Sequence, residues 1–370
     1  MQEIAAQELK DRLEAGEPLR VVDIREADEF ADWHIHGSAN LPVYDALKRN
    51  DDQVLAARSG ELPSDACLVL VCRGGIVSRR AAALLSGLGF DALTLSGGMH
   101  GWGRVWSEAP VDGGETLGLI QVRRNGKGCL SYLFGATGEA AVVDASVDVQ
   151  AYLQLAERGG LRITHVLETH VHADHLSRAR ELCSITGATL TLPPNDRVTY
   201  PYTPIPDGGT LTVGGITLEA VRTPGHTGES TCYVIGDRFL LTGDTLFVDG
   251  VGRPDLEKGD AGAENGARAL YRSLREQLLG RFDDVTVLPT HHGGPIGFDR
   301  RPIGARLSEI RPRLDLVEGG EEAFVERIVA SLKAKPPNCD TIIAVNEGKS
   351  DIRGADPYDL EAGPNRCAAG

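Results

Sequence analysis

The stretch Thr169-His-Val-His-Ala-Asp-His175 places three imidazoles and a carboxylate within six residues. Imidazole nitrogens and carboxylate oxygens at this spacing are ligands for a transition-metal ion. Similar residues recur further along. Thr223-Pro-Gly-His226 puts His226 in a Gly-containing turn. Leu240-Leu-Thr-Gly-Asp244 puts Asp244 past an apolar run, and Leu288-Pro-Thr-His291 puts His291 past another. With His292 beside His291, six of the ten histidines fall in the His cluster, the Gly-containing turn and the last of these runs, which decides against random placement. The joint reading is a metal site. Imidazole and carboxylate alone suit zinc, iron, manganese or nickel, so ligand type does not choose the metal.

A second centre lies near the amino terminus. Leu68-Val-Leu-Val71 delivers Cys72 into the loop Cys72-Arg-Gly-Gly-Ile-Val-Ser78. Gly74 and Gly75 let the backbone curl its amides toward one point. A thiol at a strand end, facing those amides and a helix start, is favoured as the thiolate nucleophile. The same amides would stabilise a persulfide on it. The plainer alternative, an inert buried Cys, fits the Cys-Arg-Gly-Gly setting poorly.

The elements that must carry these residues follow from periodicity. In the first third, residues 4–15 read as an amphipathic helix, 20–24 as a buried strand, 44–58 as a helix, 68–71 as a strand and 79–85 as a helix. Alternating strands and helices imply a parallel sheet covered on both faces. Residues 108–115 combine Pro, paired Gly and acidic side chains and read as a short linker. Beyond it, runs 117–123 and 128–135 flank an Asn125-Gly126 hairpin turn. Residues 163–169 form a buried strand that feeds the His cluster into a helix over 176–185. Late strands at 216–222, 231–235, 238–241 and 284–288, with a helix over 263–279, suggest two packed sheets with helices outside.

Composition bounds the function. The chain of 370 residues is 41% apolar and 25% charged, with net charge −15. That balance fits two or three globular domains and argues against nucleic acid or anionic membrane as partners. Seven scattered cysteines do not suggest a disulfide framework. The first residues lack a secretory pattern, so the expectation is a reducing cytoplasm. Homo-oligomerisation is left open.

Four motifs in order, Val21-Val-Asp-Ile-Arg-Glu26, His34-Ile-His-Gly-Ser-Ala-Asn-Leu-Pro42, the Cys72 loop and Leu95-Ser-Gly-Gly-Met-His-Gly-Trp102, resemble a rhodanese domain over residues 1–112. The resemblance implies a sulfane-sulfur carrier at Cys72, with Arg73, Gly74, Gly75 and Ser78 at the substrate. The family loop commonly has a second Arg five positions after the Cys. Here Val77 stands there, and Arg79 lies roughly 200° around a helix from it. Efficient thiosulfate:cyanide transfer is therefore not expected, while a persulfide relay from another donor survives.

Residues 113–370 resemble the metallo-β-lactamase superfamily, through His-x-His-x-Asp-His, a later His, a Gly-Asp and a final His. The resemblance implies an αββα sandwich with metal at one edge, and a tail over about 347–370. It puts His170, His172 and His226 in one metal site and Asp174, His175 and His291 in a second, with Asp244 between. With two zinc ions per chain the implied reaction is glyoxalase II-like hydrolysis of a glutathione thioester, Asp174 or Asp244 handling protons. With one ferrous iron at His170, His226 and Asp244 it is the persulfide dioxygenase reaction, glutathione persulfide and O₂ giving sulfite. Gly252-Arg-Pro-Asp255 resembles a stretch of the sulfur dioxygenases and offers Arg253 to an anionic substrate. The dioxygenase is the leading expectation, because a rhodanese partner suits persulfide oxidation better than thioester hydrolysis. In the tail, Cys367 could reach a site, but a free thiol on a mobile segment is the plainer reading.

Overall fold

Strand alternation decides the layering. The computed structural model describes residues 2–114 and 117–369. In the strand Cys67–Val71, Leu68 and Leu70 pack to one face, with the helix Ile76–Gly87. Val69 and Val71 pack to the other, with Leu9, Met99 and Trp102. This period-two alternation requires cover on both faces. The sheet is five-stranded and parallel, with Cys67–Val71 between Ala92–Leu95 and Leu19–Asp23. The helix expected over 44–58 is two short helices, Tyr44–Lys48 and Gln53–Arg58, broken at Asn50, which has a positive φ.

The rest forms two facing sheets of seven and six strands. Tyr132, Phe134, Val143 and Leu167 of one meet Leu218, Tyr233, Leu241 and Leu288 of the other in a shared core. Alternate residues face outward. Leu133, Val142 and Val166 pack near the helix Val149–Arg158. Leu240 and Val287 pack against the helices Ala263–Arg272 and Glu321–Ser331. This is the expected αββα sandwich. The helix expected over 263–279 changes to π geometry at Ser273–Leu279. The helix after the His cluster starts at Ala179, leaving residues 168–178 as an irregular loop.

The first half of the expected linker at 108–115, residues 108–111, is strand. Ser107–Val111 pairs antiparallel with Gly118–Arg124 as the edge of the seven-stranded sheet. Glu115 lies outside the described residues. The two units touch directly. Trp33 Nε1 donates to the Gly126 carbonyl at 2.8 Å, and Arg366 pairs with Asp32 at 2.8 Å. Phe298 packs edge-on against Trp102 and His36. Among the described residues no helix is long and apolar enough to cross a membrane.

Candidate metal centre and sulfur loop

The His cluster leaves the strand Arg162–Leu167 as a loop with no backbone ladder of its own. Its amides are instead taken by side chains from distant parts of the chain. Val171 N donates to Glu229 at 3.0 Å, Leu176 N to Glu361 at 2.8 Å and Ser177 N to Asn346 at 2.9 Å. Asn346 Nδ2 donates in turn to the His172 and His175 carbonyls, both at 2.8 Å. Such a loop has few conformations left to it, so the side chains it carries are held in place. Asp244 arrives from Phe239–Gly243. A Cβ on Gly243 (φ +52°) would lie 2.7 Å from Thr169 Oγ1, so glycine permits the close approach of the two loops.

His170, His226 and Asp244 converge, with one donor atom from each within 4.8 Å of the others and all three side chains buried. His226 Nε2 stands 3.4 Å and His170 Nε2 3.8 Å from Asp244 Oδ2. Among the described residues none of these three atoms has a hydrogen-bond partner. An unpaired buried polar atom costs about 1–3 kcal/mol, and three aimed at one point fit a cation. Burial keeps His170 and His226 neutral, the form that offers a lone pair. Burial works against a charged Asp244, but His291 and His226 outweigh it and hold it as the carboxylate. His291 Nδ1 bonds Asp244 Oδ1 at 2.7 Å, leaving Oδ2 for an ion.

His172 is held from behind. Its Nε2 donates to Asp144 at 3.1 Å and Glu168 at 3.0 Å, and its buried Nδ1 has no partner among the described residues. Burial opposes a charged His172, but the two carboxylates outweigh it and fix the proton on Nε2. Asp144 also accepts from Thr169 N, Thr169 Oγ1 and Thr290 Oγ1. Asp174, His175 and His291 form a second buried set together with Cys129.

Arg253 does not reach toward these donors. Its guanidinium forks onto Asp255 at 2.7 and 2.9 Å and donates to the carbonyls of Lys333, Ala334 and Arg366. Its own carbonyl accepts from His226 Nδ1 at 2.7 Å, so it positions that imidazole through the backbone. The tail is an ordered part of the site. Ala368–Ala369 pairs with Val251–Gly252, and Cys367 is buried within 4.8 Å of the Asp244 and His291 donor atoms. Glu361 sits between Arg124 (2.6 Å) and Arg178 (3.0 Å). A cavity of about 250 Å³, lined by Phe247, Asp249, His291, His292, Asn365 and Ala369, leads to His291.

At the other centre, the Cys72 sulfur accepts from Gly75 N at 3.2 Å and Ser78 N at 3.3 Å. Gly75 has φ +86°, and a Cβ there would press on the Gly97 amide at 3.1 Å. Arg73 forks onto Glu29 at 2.6 and 2.7 Å and lies over the Tyr44 ring. Gly74 is exposed beside it. Ser78 Oγ is engaged with Thr94. Val77 packs against the domain core, and Arg79 pairs with Glu3.

Several residues of the centre were not singled out from sequence. Asp144 ends an apolar run, Ala140-Ala-Val-Val, which is a readable signal. Asn346, Glu361 and Cys129 are far from the His cluster along the chain and carry none.

Comparison with known proteins agrees with this anatomy. The metallo-beta-lactamase superfamily model matches residues 124–292 and the rhodanese-like domain model matches 5–104. Hydroxyacylglutathione hydrolase of Methylobacillus flagellatus is 36% identical over 147 residues, 39% of this chain and 55% of that protein. This chain thus spans about half the length of that relative. The mitochondrial persulfide dioxygenase ETHE1 of Bos taurus is 30% identical over 186 residues, 48% of this chain and 71% of that protein. The crystal structure of ETHE1 from Myxococcus xanthus superposes with a TM-score of 0.55 at 28% identity, covering 63% of this chain and 99% of that one.

Proposed function

Because this chain belongs to the metallo-beta-lactamase superfamily and carries a rhodanese-like domain ahead of it, we propose that it is a persulfide dioxygenase coupled to a sulfur-carrying thiol. The substrate is glutathione persulfide or a similar small persulfide, and the products are sulfite and the parent thiol. The observation that carries this reading is the convergence of His170 Nε2, His226 Nε2 and Asp244 Oδ2. Two imidazoles and one carboxylate on one face are the ligand set of non-heme ferrous oxygenases. An iron held there would supply open positions for the substrate sulfur and O₂.

The chain's own residues do the rest. Asp144 and Glu168 hold the His172 proton on Nε2. Asp174, bonded to His175 at 3.0 Å and 3.1 Å from His291, is placed to exchange a proton in the site. The cavity beside His291 gives the persulfide its approach. Cys72, in its amide cradle, accepts or donates sulfane sulfur. The relatives named persulfide dioxygenase support this reading, and the rhodanese-like domain gives the persulfide chemistry a partner.

A second reading is favoured by a separate observation. Among the described residues His175 Nε2 is also buried without a hydrogen-bond partner, beside Asp174 and His291, which suits the second metal of a two-zinc thioester hydrolase. Loading the metal-free chain anaerobically with ferrous iron, then adding glutathione persulfide and O₂, separates the two. Oxygen uptake with sulfite formation is expected. No uptake, together with lactoylglutathione hydrolysis by the zinc form, overturns the proposal.

A further inference from the structure

The hairpin turn Asn125-Gly-Lys-Gly128 is buried at all four positions, although turns ordinarily lie on the surface. It is wedged between the two units. Trp33 Nε1 donates to the Gly126 carbonyl, and a Cβ on Gly126 would strike the carbonyl of Trp102. On the other side His292 N donates to the Gly128 carbonyl at 2.9 Å, and a Cβ on Gly128 (φ +88°) would press on the His292 carbonyl. The two glycines let the turn fit this gap and so fix the residues between and beside them, Lys127 and Asn125.

Both side chains line a cavity of about 80 Å³. Its other walls include Asp32 and Trp33 of the rhodanese-like unit, His292 next to the last His of the metal centre, and Asn365 of the tail. Asn125 is 6% exposed, and neither its Nδ2 nor its Oδ1 has a hydrogen-bond partner among the described residues. Lys127 is 5% exposed, and among the described residues no carboxylate pairs with its ammonium. Asp32, the acid in the cavity wall, is taken by Arg366 at 2.8 Å. Burial keeps His292 neutral, and Asn365 Oδ1 already accepts from the Cys367 amide.

Trapped water is the simpler occupant of such a cavity. Water satisfies the Asn125 amide, but it leaves the Lys127 charge buried without a counter-charge, which is costly. An anion answers both groups, because its oxygens accept from the ammonium and from Asn125 Nδ2.

We propose that Lys127 and Asn125 form a binding site for a small oxygen-bearing anion at the junction of the two units. His292 and Asn365 are also walls of the cavity that leads to His291, so the anion site adjoins the approach to the metal centre. The identity of the anion rests on the dioxygenase reading. Under that reading it is sulfite, or the thiosulfate that sulfite and sulfane sulfur make together, held between the centre that forms sulfite and the unit that carries sulfane sulfur. A carboxylate of the thiol carrier has the same chemistry and is the other source.

The test uses the full chain with its metal bound, titrated by calorimetry with sulfite, thiosulfate and glutathione at matched ionic strength. Saturable binding is expected, weakened at least about tenfold in Lys127→Met and in Asn125→Asp, which supplies an internal counter-charge. Weakening with sulfite and thiosulfate assigns the site to sulfur oxyanions, and weakening with glutathione alone assigns it to a carboxylate. No binding, or binding equal in the wild type and both variants, overturns the site. Asn125→Asp keeps the side-chain shape and decides the matter even if Lys127→Met fails to fold. Oxygen uptake with glutathione persulfide is measured separately. Uptake without Lys127-dependent binding overturns the anion site alone, and binding without uptake overturns the dioxygenase reading and leaves the site standing.

Discussion

The Cys72 loop and the His cluster both sit where a strand ends, yet they are finished in opposite ways. Around Cys72 the backbone supplies the chemistry, with two amides on the sulfur and the neighbouring arginine already paired with Glu29. Around His170 the side chains supply it, and their key atoms are left without partners inside the protein. A loop of the first kind is complete as folded. One of the second kind needs a cation, and until then its stability depends on outside supports such as Asp144, Asn346 and Glu361. The contrast teaches that damage should spread differently. Changes near Cys72 should stay local, whereas changes to the distant supports should reach the metal centre.

The largest expected effect is at the ligands. His226→Ala should lower oxygen uptake by more than about 100-fold, above the 10–100-fold typical of outer supports, and should lower iron content measured by elemental analysis. Glu361→Gln comes next. It leaves Arg124 and Arg178 buried without their counter-charge and should cost about 3 kcal/mol in denaturant unfolding. Burial alone would raise the Glu361 carboxyl, but Arg124 and Arg178 hold it below its ordinary value of 4.5. A carboxyl depressed in the folded state stabilises at pH above 4.5, and that contribution is lost as pH falls through the folded-state value. Acid unfolding should therefore weaken the wild type, and Glu361→Gln should flatten part of that slope.

Asp144→Asn removes the charge that holds the His172 proton. Metal affinity should fall by roughly 10–100-fold, with the fold retained by circular dichroism. Equal affinity in variant and wild type would show that the His172 support is idle. The smallest effect is on the other side of the comparison. Val77→Arg should raise thiosulfate sulfurtransferase activity severalfold at most and leave oxygen uptake unchanged. Arg79 is occupied with Glu3 and does not take that role.

Much of this contrast is legible in the sequence, for a physical reason. Residues that bind or react occur at strand ends and beside glycines, and apolar runs mark those ends. His170, His226, Asp244, His291 and Cys72 are each found this way. The sandwich and the parallel sheet follow from alternation and from strand–helix order. What does not show is support from far away. Asn346 holds the His loop from more than 170 positions along the chain, and no local pattern encodes that. Arg253 illustrates the converse. Its motif suggests a substrate contact, but the buried carboxylate of Asp255 two residues on takes the guanidinium. The tail, whose thiol had the plainer reading of a mobile one, is tied down by Glu361, Arg253 and a two-residue strand. Residues 108–111 carry a turn-type Pro and still pair as a sheet edge, because Pro110 is tolerated on an edge strand.

The central claim is that one chain holds two chemistries on separate atoms. Asp244→Ala and Cys72→Ser, each assayed in the same run for oxygen uptake with glutathione persulfide and for sulfur transfer to a thiol acceptor, test it most directly. Asp244→Ala should lose uptake and keep transfer, and Cys72→Ser should do the reverse. Uptake that survives Asp244→Ala, or a Cys72→Ser chain that has lost both activities while still folded, would contradict the account.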